Sequence, residues 1–193
     1  KNFKNNFCLM EQHLVHRQVF DNFLDDETFD YISKVVMGTW HDRQILYQLQ
    51  SNVAEEGEEM PLWNWMGISM IYSEDEVRHP FYDEIRDKVL PLIKEKVYNY
   101  KSVIRIKANF YPWTQEIKHH SYHTDFDWQN VGAVLSMNTC DGYTEFEYDM
   151  PYLKQKRIKS VANRLIVFDA QNSHRSTTTT TDFGRFNINF NFL

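Results

Sequence analysis

The chain has 193 residues, of which 42% are hydrophobic and 16% aromatic, and its formal net charge is −6. This composition predicts one globular domain with its own core and argues against disorder. The negative charge argues against nucleic acid as the main partner, because phosphate binding needs a cationic face. The two cysteines are too few for a disulfide framework, so we expect a reduced, cytoplasmic setting. No apolar run approaches the ~20 residues of a membrane span, so no membrane partner is expected.

The first hundred residues carry helical patterns. Asp25 or Asp26 can cap a first helix, whose apolar face includes Ile32 and Val36, and Gly38 can end it. A second helix is expected over roughly residues 80–97, with a bend at its internal proline.

The segment between these helices, from Thr39 to Met66, has no clean period and contains an acidic run at residues 55–59. A long excursion of this kind is either a lid over a site or a surface flap. As a lid it would favour a cationic substrate.

From about residue 102 onward the pattern changes to period two, which is typical of strands. The last strand has apolar residues on one face and polar residues on the other. The apolar residues are Phe186, Ile188, Phe190 and Phe192, and the polar ones are Arg185, Asn187, Asn189 and Asn191. Helices followed by short strands predict a mainly β fold with flanking α-helices, with helical support over about 1–100 and a β core over about 101–193. The predicted strands are Val103–Tyr111, Val131–Met137, Thr144–Tyr148, Leu165–Phe168 and Arg185–Phe192.

The stretch from His119 to Asp125 contains the strongest candidate for chemistry. On an extended segment His123 and Asp125 point to the same side and can bind one metal ion. Taken alone, a His-x-acid triplet is expected roughly once by chance in a chain of this composition. Two histidines and one carboxylate on one face of an octahedron leave three positions open at Fe(II), so a second histidine is required.

Two downstream residues complete such a site. His174 follows the strand at residues 165–168 after a short polar loop, and Arg185 opens the final strand. A dicarboxylate co-substrate needs a fixed cation at its distal end, and a guanidinium can meet a carboxylate with two parallel hydrogen bonds.

Together these stretches resemble the Fe(II)/2-oxoglutarate-dependent oxygenases, particularly the group of prolyl 4-hydroxylases with their bacterial and phage relatives. The resemblance covers roughly residues 105–192. The matching motifs are Ala108-Asn109-Phe110-Tyr111-Pro112, His123-Thr124-Asp125, Asp141 to Phe146, Asn163 to Asp169, His174 and Arg185-Phe186-Asn187.

The resemblance implies a double-stranded β-helix, or jelly-roll, and a role for each matched residue. His123, Asp125 and His174 match the metal ligands and catalytic centre, with Fe(II), 2-oxoglutarate and dioxygen as cofactor and co-substrates. Arg185 matches the residue that binds the distal carboxylate. Tyr111 matches a tyrosine that often assists it. Asn187, which stands where many relatives have a small hydroxyl residue, could also assist.

The implied activity is oxidative decarboxylation of 2-oxoglutarate coupled to hydroxylation of a small-molecule or peptide substrate, such as a prolyl or other amino-acid side chain. The presence of Asp125 argues against a halogenase, which typically has a small residue there. The alternative is a non-catalytic jelly-roll or cupin-like module that binds a ligand or partner.

Several neighbouring residues have alternative interpretations. His119 and His120 could form a zinc site with His123, but adjacent strand residues point apart, so loop or substrate-facing positions fit them better. Asp127 could compete with Asp125, and Arg175 should point away from the metal. Four tryptophans could line a substrate groove or cap the ends of the β core, which is the commoner role: Trp63, Trp65, Trp113 and Trp128.

Overall fold

The structure, a computed structural model, describes residues 17–40, 43–54, 61–97, 100–147 and 156–193. The acidic run at 55–59 and the predicted strand end at Tyr148 lie outside these ranges. The helices are α1 (Asp26–Met37), α2 (Tyr82–Lys88) and α3 (Leu90–Lys96). The strands are β1 (Gln18–Phe20), β2 (Gln48–Ser51), β3 (Trp65–Ser73), β4 (Glu76–Val77), β5 (Val103–Pro112), β6 (Val131–Ser136), β7 (Tyr143–Phe146), β8 (Arg157–Lys159), β9 (Arg164–Asp169), β10 (His174–Ser176) and β11 (Gly184–Phe192).

Helix α1 has the ends that its sequence predicts. The Asp25 side chain accepts a hydrogen bond from the Thr28 backbone N–H, and Gly38 adopts a left-handed conformation with φ of 69°. Both features satisfy backbone groups that a helix leaves unpaired at its ends. Ile32 and Val36 are fully buried, as expected.

The single second helix predicted for residues 80–97 is wrong, because two helices occupy this segment. Helix α2 ends at Lys88, Val89 caps it, and α3 begins at Leu90 with Pro91 in its first turn. A proline has no backbone N–H and is best tolerated at the start of a helix, so Pro91 starts a new helix rather than bending one. Within the described ranges, no helix combines the length and apolar character needed to cross a membrane.

Eight strands form a large sheet in the order β1-β9-β6-β11-β5-β3-β2, with β4 paired to β3. Strand β11 lies between β5 and β6 and is buried along its whole length. Its alternating apolar residues pack with the helices in one core, as the period-two pattern predicts. Those residues are Phe186, Ile188, Phe190 and Phe192.

A three-stranded sheet, β10-β7-β8, faces the other side of the large sheet. A second apolar cluster lies between the two sheets and includes Phe146 and Ile158 from the small sheet and Ile166 and Phe168 from β9. Two facing antiparallel sheets with helices on the outside form the predicted jelly-roll. The first hundred residues contribute four strands as well as the helices, so the boundary expected near residue 101 does not separate a helical part from the sheet.

Candidate metal centre and dicarboxylate pocket

His123 and His174 are direct neighbours across two antiparallel segments. Each backbone N–H donates to the other residue's carbonyl at 2.9 Å, and the ring centroids lie 4.8 Å apart. His174 belongs to β10, where the edge of the Phe168 ring packs against its imidazole at 4.8 Å between centroids. The short pairing therefore fixes two imidazoles side by side at the inner face of the small sheet.

Asp125 completes a cluster in which the potential ligand atoms of all three side chains lie within 4.8 Å of one another. Its Oδ1 accepts a hydrogen bond from Arg105 at 2.7 Å, and its Oδ2 accepts one from Asn191 at 2.9 Å. Arg105 also donates to the Asn191 Oδ1 at 3.1 Å. These contacts hold the carboxylate in one orientation, which is the usual role of groups that bond to a metal ligand.

The hydrogen bonds of the two imidazoles determine which nitrogen can bind a metal. The Nδ1 of His123 lies 3.3 Å from the Ser121 carbonyl oxygen, and the Nδ1 of His174 lies 3.0 Å from that of Asn172. A carbonyl oxygen only accepts, so each Nδ1 carries the proton and each Nε2 keeps a free lone pair. Both histidines are thus set to bind a metal through Nε2.

The protonation states suit a metal site. Burial, with His174 nearby, lowers the pKa of His123 to about 4, and burial also lowers the pKa of His174. Burial acts to raise the pKa of Asp125, but His174, Arg105 and the hydrogen bond from Asn191 outweigh it and hold that pKa well below its usual range. At neutral pH the cluster therefore has two neutral imidazoles and one carboxylate, the forms that bind metals.

Arg185 lies in the wall of a small cavity that His123 and His174 also line. Its side chain is 1% exposed, and its guanidinium donates to the Thr144 hydroxyl at 2.8 Å. The Nε and Nη1 atoms are buried with no hydrogen-bond partner, and no carboxylate pairs with Arg185 within the described residues. An arginine buried in this way is strongly unfavourable unless an anion joins it.

Tyr111 and Asn187 lie in the wall of the same cavity. Tyr111 is the cross-strand partner of Arg185, whose guanidinium carbon is 5.4 Å from the centre of the tyrosine ring. Burial raises the pKa of Tyr111, so its hydroxyl stays protonated as a possible donor. The Asn187 Oδ1 accepts a hydrogen bond from Asn109 at 2.9 Å. Asn187 follows Arg185 by two residues on the same face of β11, so the two side chains are neighbours in the cavity wall.

Other histidines lie close by but outside the cluster. His119 lies 2.7 Å from the Tyr143 hydroxyl, and the Nδ1 of His120 lies 2.8 Å from the Ser176 hydroxyl. Among the described residues neither belongs to a metal-binding group, as the argument from strand geometry predicts. His120 is 2% exposed, and its Nε2 has no partner within the described part of the chain.

The competing charged residues are directed elsewhere. Asp127 is exposed and outside the ligand cluster. Arg175 donates twice to one oxygen of Glu145, at 2.6 and 2.8 Å, and its guanidinium carbon lies 4.2 Å from the centre of the Tyr122 ring. Arg185 is accordingly the buried guanidinium that remains available to an anion in the cavity.

The tryptophans do not form one continuous groove. Trp63 packs against His120 and Trp65 against Phe110, with centroids 5.7 Å apart in each pair. Trp113 and Trp128 are 52% and 42% exposed. Trp63 and Trp65 therefore pack against other aromatic residues of the fold, whereas Trp113 and Trp128 lie at the surface.

Sequence reasoning did not identify Arg105 or Asn191 as parts of the site. Arg105 and Asn191 share the polar faces of β5 and β11 with Tyr111 and Arg185, so the sequence pattern predicts which side of the sheet they face. The pattern does not predict that they pair with each other, because the pairing depends on the register between the strands.

The donor set fits a divalent metal with a dicarboxylate beside it. Two imidazoles and one carboxylate leave half of an octahedron open. The unpartnered guanidinium atoms of Arg185 lie in the wall of the same cavity.

No protein-family model matches the sequence. No curated protein sequence matches it either. Solved structures, in contrast, are similar over nearly the whole chain. A prolyl hydroxylase from Trichoplax adhaerens, in complex with a peptide of the hypoxia inducible factor oxygen degradation domain, is 16% identical with a TM-score of 0.65. The match covers 100% of this chain and 93% of that chain.

Two further structures have the same likeness. A viral collagen prolyl hydroxylase from Paramecium Bursaria Chlorella virus-1, in complex with 2-oxoglutarate, is 14% identical with a TM-score of 0.57, covering 92% of this chain and 96% of that one. An oxidoreductase of the 2OG-Fe(II) oxygenase family from Burkholderia pseudomallei is 9% identical with a TM-score of 0.67, covering 97% and 89%. The resemblance predicted from the motifs is thus confirmed for the fold, which is the fold of these 2-oxoglutarate- and iron-dependent oxygenases.

Proposed function

We propose that this protein is a non-haem Fe(II) oxygenase that couples oxidative decarboxylation of 2-oxoglutarate to hydroxylation of a substrate. The observation that carries the proposal is the buried guanidinium of Arg185, in the wall of the cavity that His123 and His174 also line. A module that only binds a metal has no need for this charge, whose burial without an anion is costly.

Each residue has a defined task under this proposal. His123, Asp125 and His174 would hold the metal, Arg105 and Asn191 would orient Asp125, and Arg185 would hold the distal carboxylate with Thr144 and Tyr111 beside it. Bound Fe(II) would supply, with 2-oxoglutarate and dioxygen, the oxidising power for hydroxylation of a C–H bond. The protein would position the co-substrate and keep water from it, since Arg185 and His174 are both buried.

For the substrate class we propose an amino-acid side chain, free or within a peptide, with proline as the first candidate. The support is the prolyl hydroxylase motifs of the sequence and the prolyl hydroxylases among the similar structures, one of which binds a peptide. We also propose that the chain acts as one domain in a reducing, cytoplasmic setting. Cys140 is buried and forms no disulfide with any residue that the structure describes, in keeping with that setting.

The experiment is a measurement of succinate formed from 2-oxoglutarate by protein loaded with Fe(II) in air, with and without proline-containing peptides. Succinate should form slowly without peptide and faster with a true substrate. His174→Ala should abolish succinate formation because it removes a metal ligand. Absence of succinate from folded, metal-loaded protein would favour the non-catalytic binding module.

A second measurement tests the pocket itself. Arg185→Met removes the charge while filling a similar volume, so it should weaken 2-oxoglutarate binding by tenfold or more, the equivalent of about 1.5–3 kcal/mol for a charge-assisted contact. Metal affinity should change little, because Arg185 does not contact the ligand cluster. Unchanged 2-oxoglutarate affinity would remove Arg185 from this role.

A further inference from the structure

Strands β5 and β11 place four pairs of polar side chains in register on the inner face of the large sheet. The first pair lies at the Arg185 end of the cavity, and the fourth orients the metal ligand Asp125. We call these four pairs the polar ladder. In order they are Arg185 with Tyr111, Asn187 with Asn109, Asn189 with Lys107, and Asn191 with Arg105.

The third pair of the polar ladder has no task in the proposed mechanism. Lys107 is half-buried, and no hydrogen bond or ion pair joins it to another residue within ranges 17–40, 43–54, 61–97, 100–147 and 156–193. Its partner Asn189 is a wall residue of the cavity, and the Asn189 Oδ1 is buried with no hydrogen bond to any described residue. A side-chain hydrogen bond joins the two residues of the second pair and those of the fourth pair, whereas none joins Lys107 to Asn189.

The ammonium group of Lys107 lies within electrostatic range of the metal ligands. Burial, and then the guanidinium of Arg105, lower the pKa of Lys107 to about 8, while the carboxylate of Asp125 acts in the opposite direction. Lys107 in turn contributes to the lowered pKa of His123. Lys107 is therefore close enough to Asp125 and His123 for its charge to interact with both.

The other cations of the ladder already have partners or an assigned anion. Arg105 is paired with Asp125, and Arg185 has the distal carboxylate under the proposed function. A carboxylate that bound at the metal would be attracted further by a neighbouring cation that has no anionic partner of its own.

We propose that Lys107 binds the carboxylate of 2-oxoglutarate that lies next to the metal, so that the pocket holds both ends of this dianion with separate cations. The proposal rests on the proposed function and assigns a second anchoring residue to its co-substrate. Asn189 lies beside Lys107 as an acceptor that can receive a hydrogen bond from the same ammonium group.

The test compares two ligands on protein loaded with Mn(II), which permits binding to be measured without turnover. 2-Oxoglutarate has both carboxylates, whereas pyruvate has the 2-oxo acid group but no distal carboxylate. Calorimetry gives the 2-oxoglutarate affinity, and the relaxation of pyruvate protons near Mn(II) gives the pyruvate affinity. Lys107→Met should weaken both ligands by about tenfold or more, and Arg185→Met should weaken 2-oxoglutarate only.

Three further variants make the result decisive. Lys159→Met removes an equal charge from the exposed side of β8 and should change neither affinity. Lys107→Arg should retain most of the pyruvate affinity, and Lys107→Gln replaces the Met variant if that variant does not bind Mn(II). Pyruvate affinity that is unchanged in the neutral Lys107 variants overturns this inference alone. If the Arg185→Met variant binds 2-oxoglutarate as tightly as the unchanged protein, that result overturns the proposed function instead.

Discussion

Residue 142 determines whether Arg185 can reach its position. A Cβ atom at Gly142 would lie 2.9 Å from the Arg185 Cδ and 2.8 Å from the Thr178 carbonyl oxygen. Both distances are shorter than real contacts of a Cβ atom, and the carbonyl belongs to a backbone that is fully buried at that point. The absence of a side chain at this glycine therefore creates the space in which the guanidinium stem passes.

Gly142→Ala is expected to displace Arg185 and to weaken 2-oxoglutarate binding by about tenfold while leaving metal affinity intact. The overpacked site should also lower the free energy of unfolding by about 1–3 kcal/mol. Ligand titration of the Mn(II)-loaded variant and chemical denaturation measure the two effects. Wild-type affinity for 2-oxoglutarate would show that the Arg185 stem is not confined as described.

His120 predicts a pH dependence of folding. Burial lowers its pKa to about 3, whereas an unfolded histidine titrates near 6.5. Between these values the unfolded chain binds more protons, so stability is complete above pH 6.5 and is lost as the pH falls. The loss reaches up to about 1.4 kcal/mol per pH unit for each such histidine, and His123 and His174 act in the same direction.

Denaturation of the metal-free protein between pH 7.5 and 5 measures this slope. His120→Gln should reduce the slope of stability against pH, because glutamine does not titrate and only the other histidines then contribute. An equally steep slope in that variant would mean that folding does not lower the pKa of His120.

The sequence predicted the three residues that the structure brings together in the candidate metal cluster, but not the groups that orient them. His123 and Asp125 follow from two-residue spacing, and His174 and Arg185 follow from the strands beside them. The orientation of Asp125, in contrast, depends on Arg105 and Asn191, which are 86 positions apart in the chain. Only the observed register of β5 and β11 joins them.

At the level of elements, strands β5 and β11 together orient the candidate metal ligand Asp125 through their last ladder pair. Asn191→Leu should leave one oxygen of Asp125 without its hydrogen bond and lower metal affinity by about 10–100-fold. Competition with a chromogenic chelator for Zn(II) measures the change. Asn187→Leu, on the same face of β11 but away from Asp125, is the matched control and should retain metal affinity.

The elements that sequence patterns predicted are those with one clear apolar face. Strand β11 alternates, and helix α1 has both end signals. Strand β3 buries Gly67, Ser69 and Ile71 on one face and leaves Ile68, Met70 and Tyr72 half-buried on the other. Its large apolar residues therefore do not follow its buried positions, and no clear pattern marks the strand. Strand β10 has three residues, too few for any period, and its place is set by pairing with β7.

On the scale of the whole molecule, folding and binding use opposite faces of the large sheet. The helices and the main apolar core cover one face, and the site lies between the other face and the small sheet. The main core therefore does not include the candidate metal ligands, and we expect the metal-free protein to fold.

Ligands should nevertheless stabilise the protein, since they bind only its folded form. Zn(II) together with 2-oxoglutarate at 100 times its Kd should add about 2.7 kcal/mol from the second ligand, which raises Tm by roughly 5–10 °C for a chain of this size. Thermal denaturation measures the shift. His174→Ala should fold and show almost no shift, and a full shift in that variant would place the metal elsewhere.

The polar ladder also has a consequence for chain-length selectivity. Because Arg185 and Asn191 lie on the same strand, β11, and Asn191 donates to Asp125, the gap between the guanidinium and the candidate metal ligand Asp125 cannot adjust to a longer or shorter diacid. Moving the cation by one ladder position, from residue 185 to residue 187, would displace it by about 7 Å, more than the length of several carbon–carbon bonds. The affinity of diacid inhibitors for this protein should accordingly depend first on the distance between their two acidic groups and only then on the chemical groups that connect them.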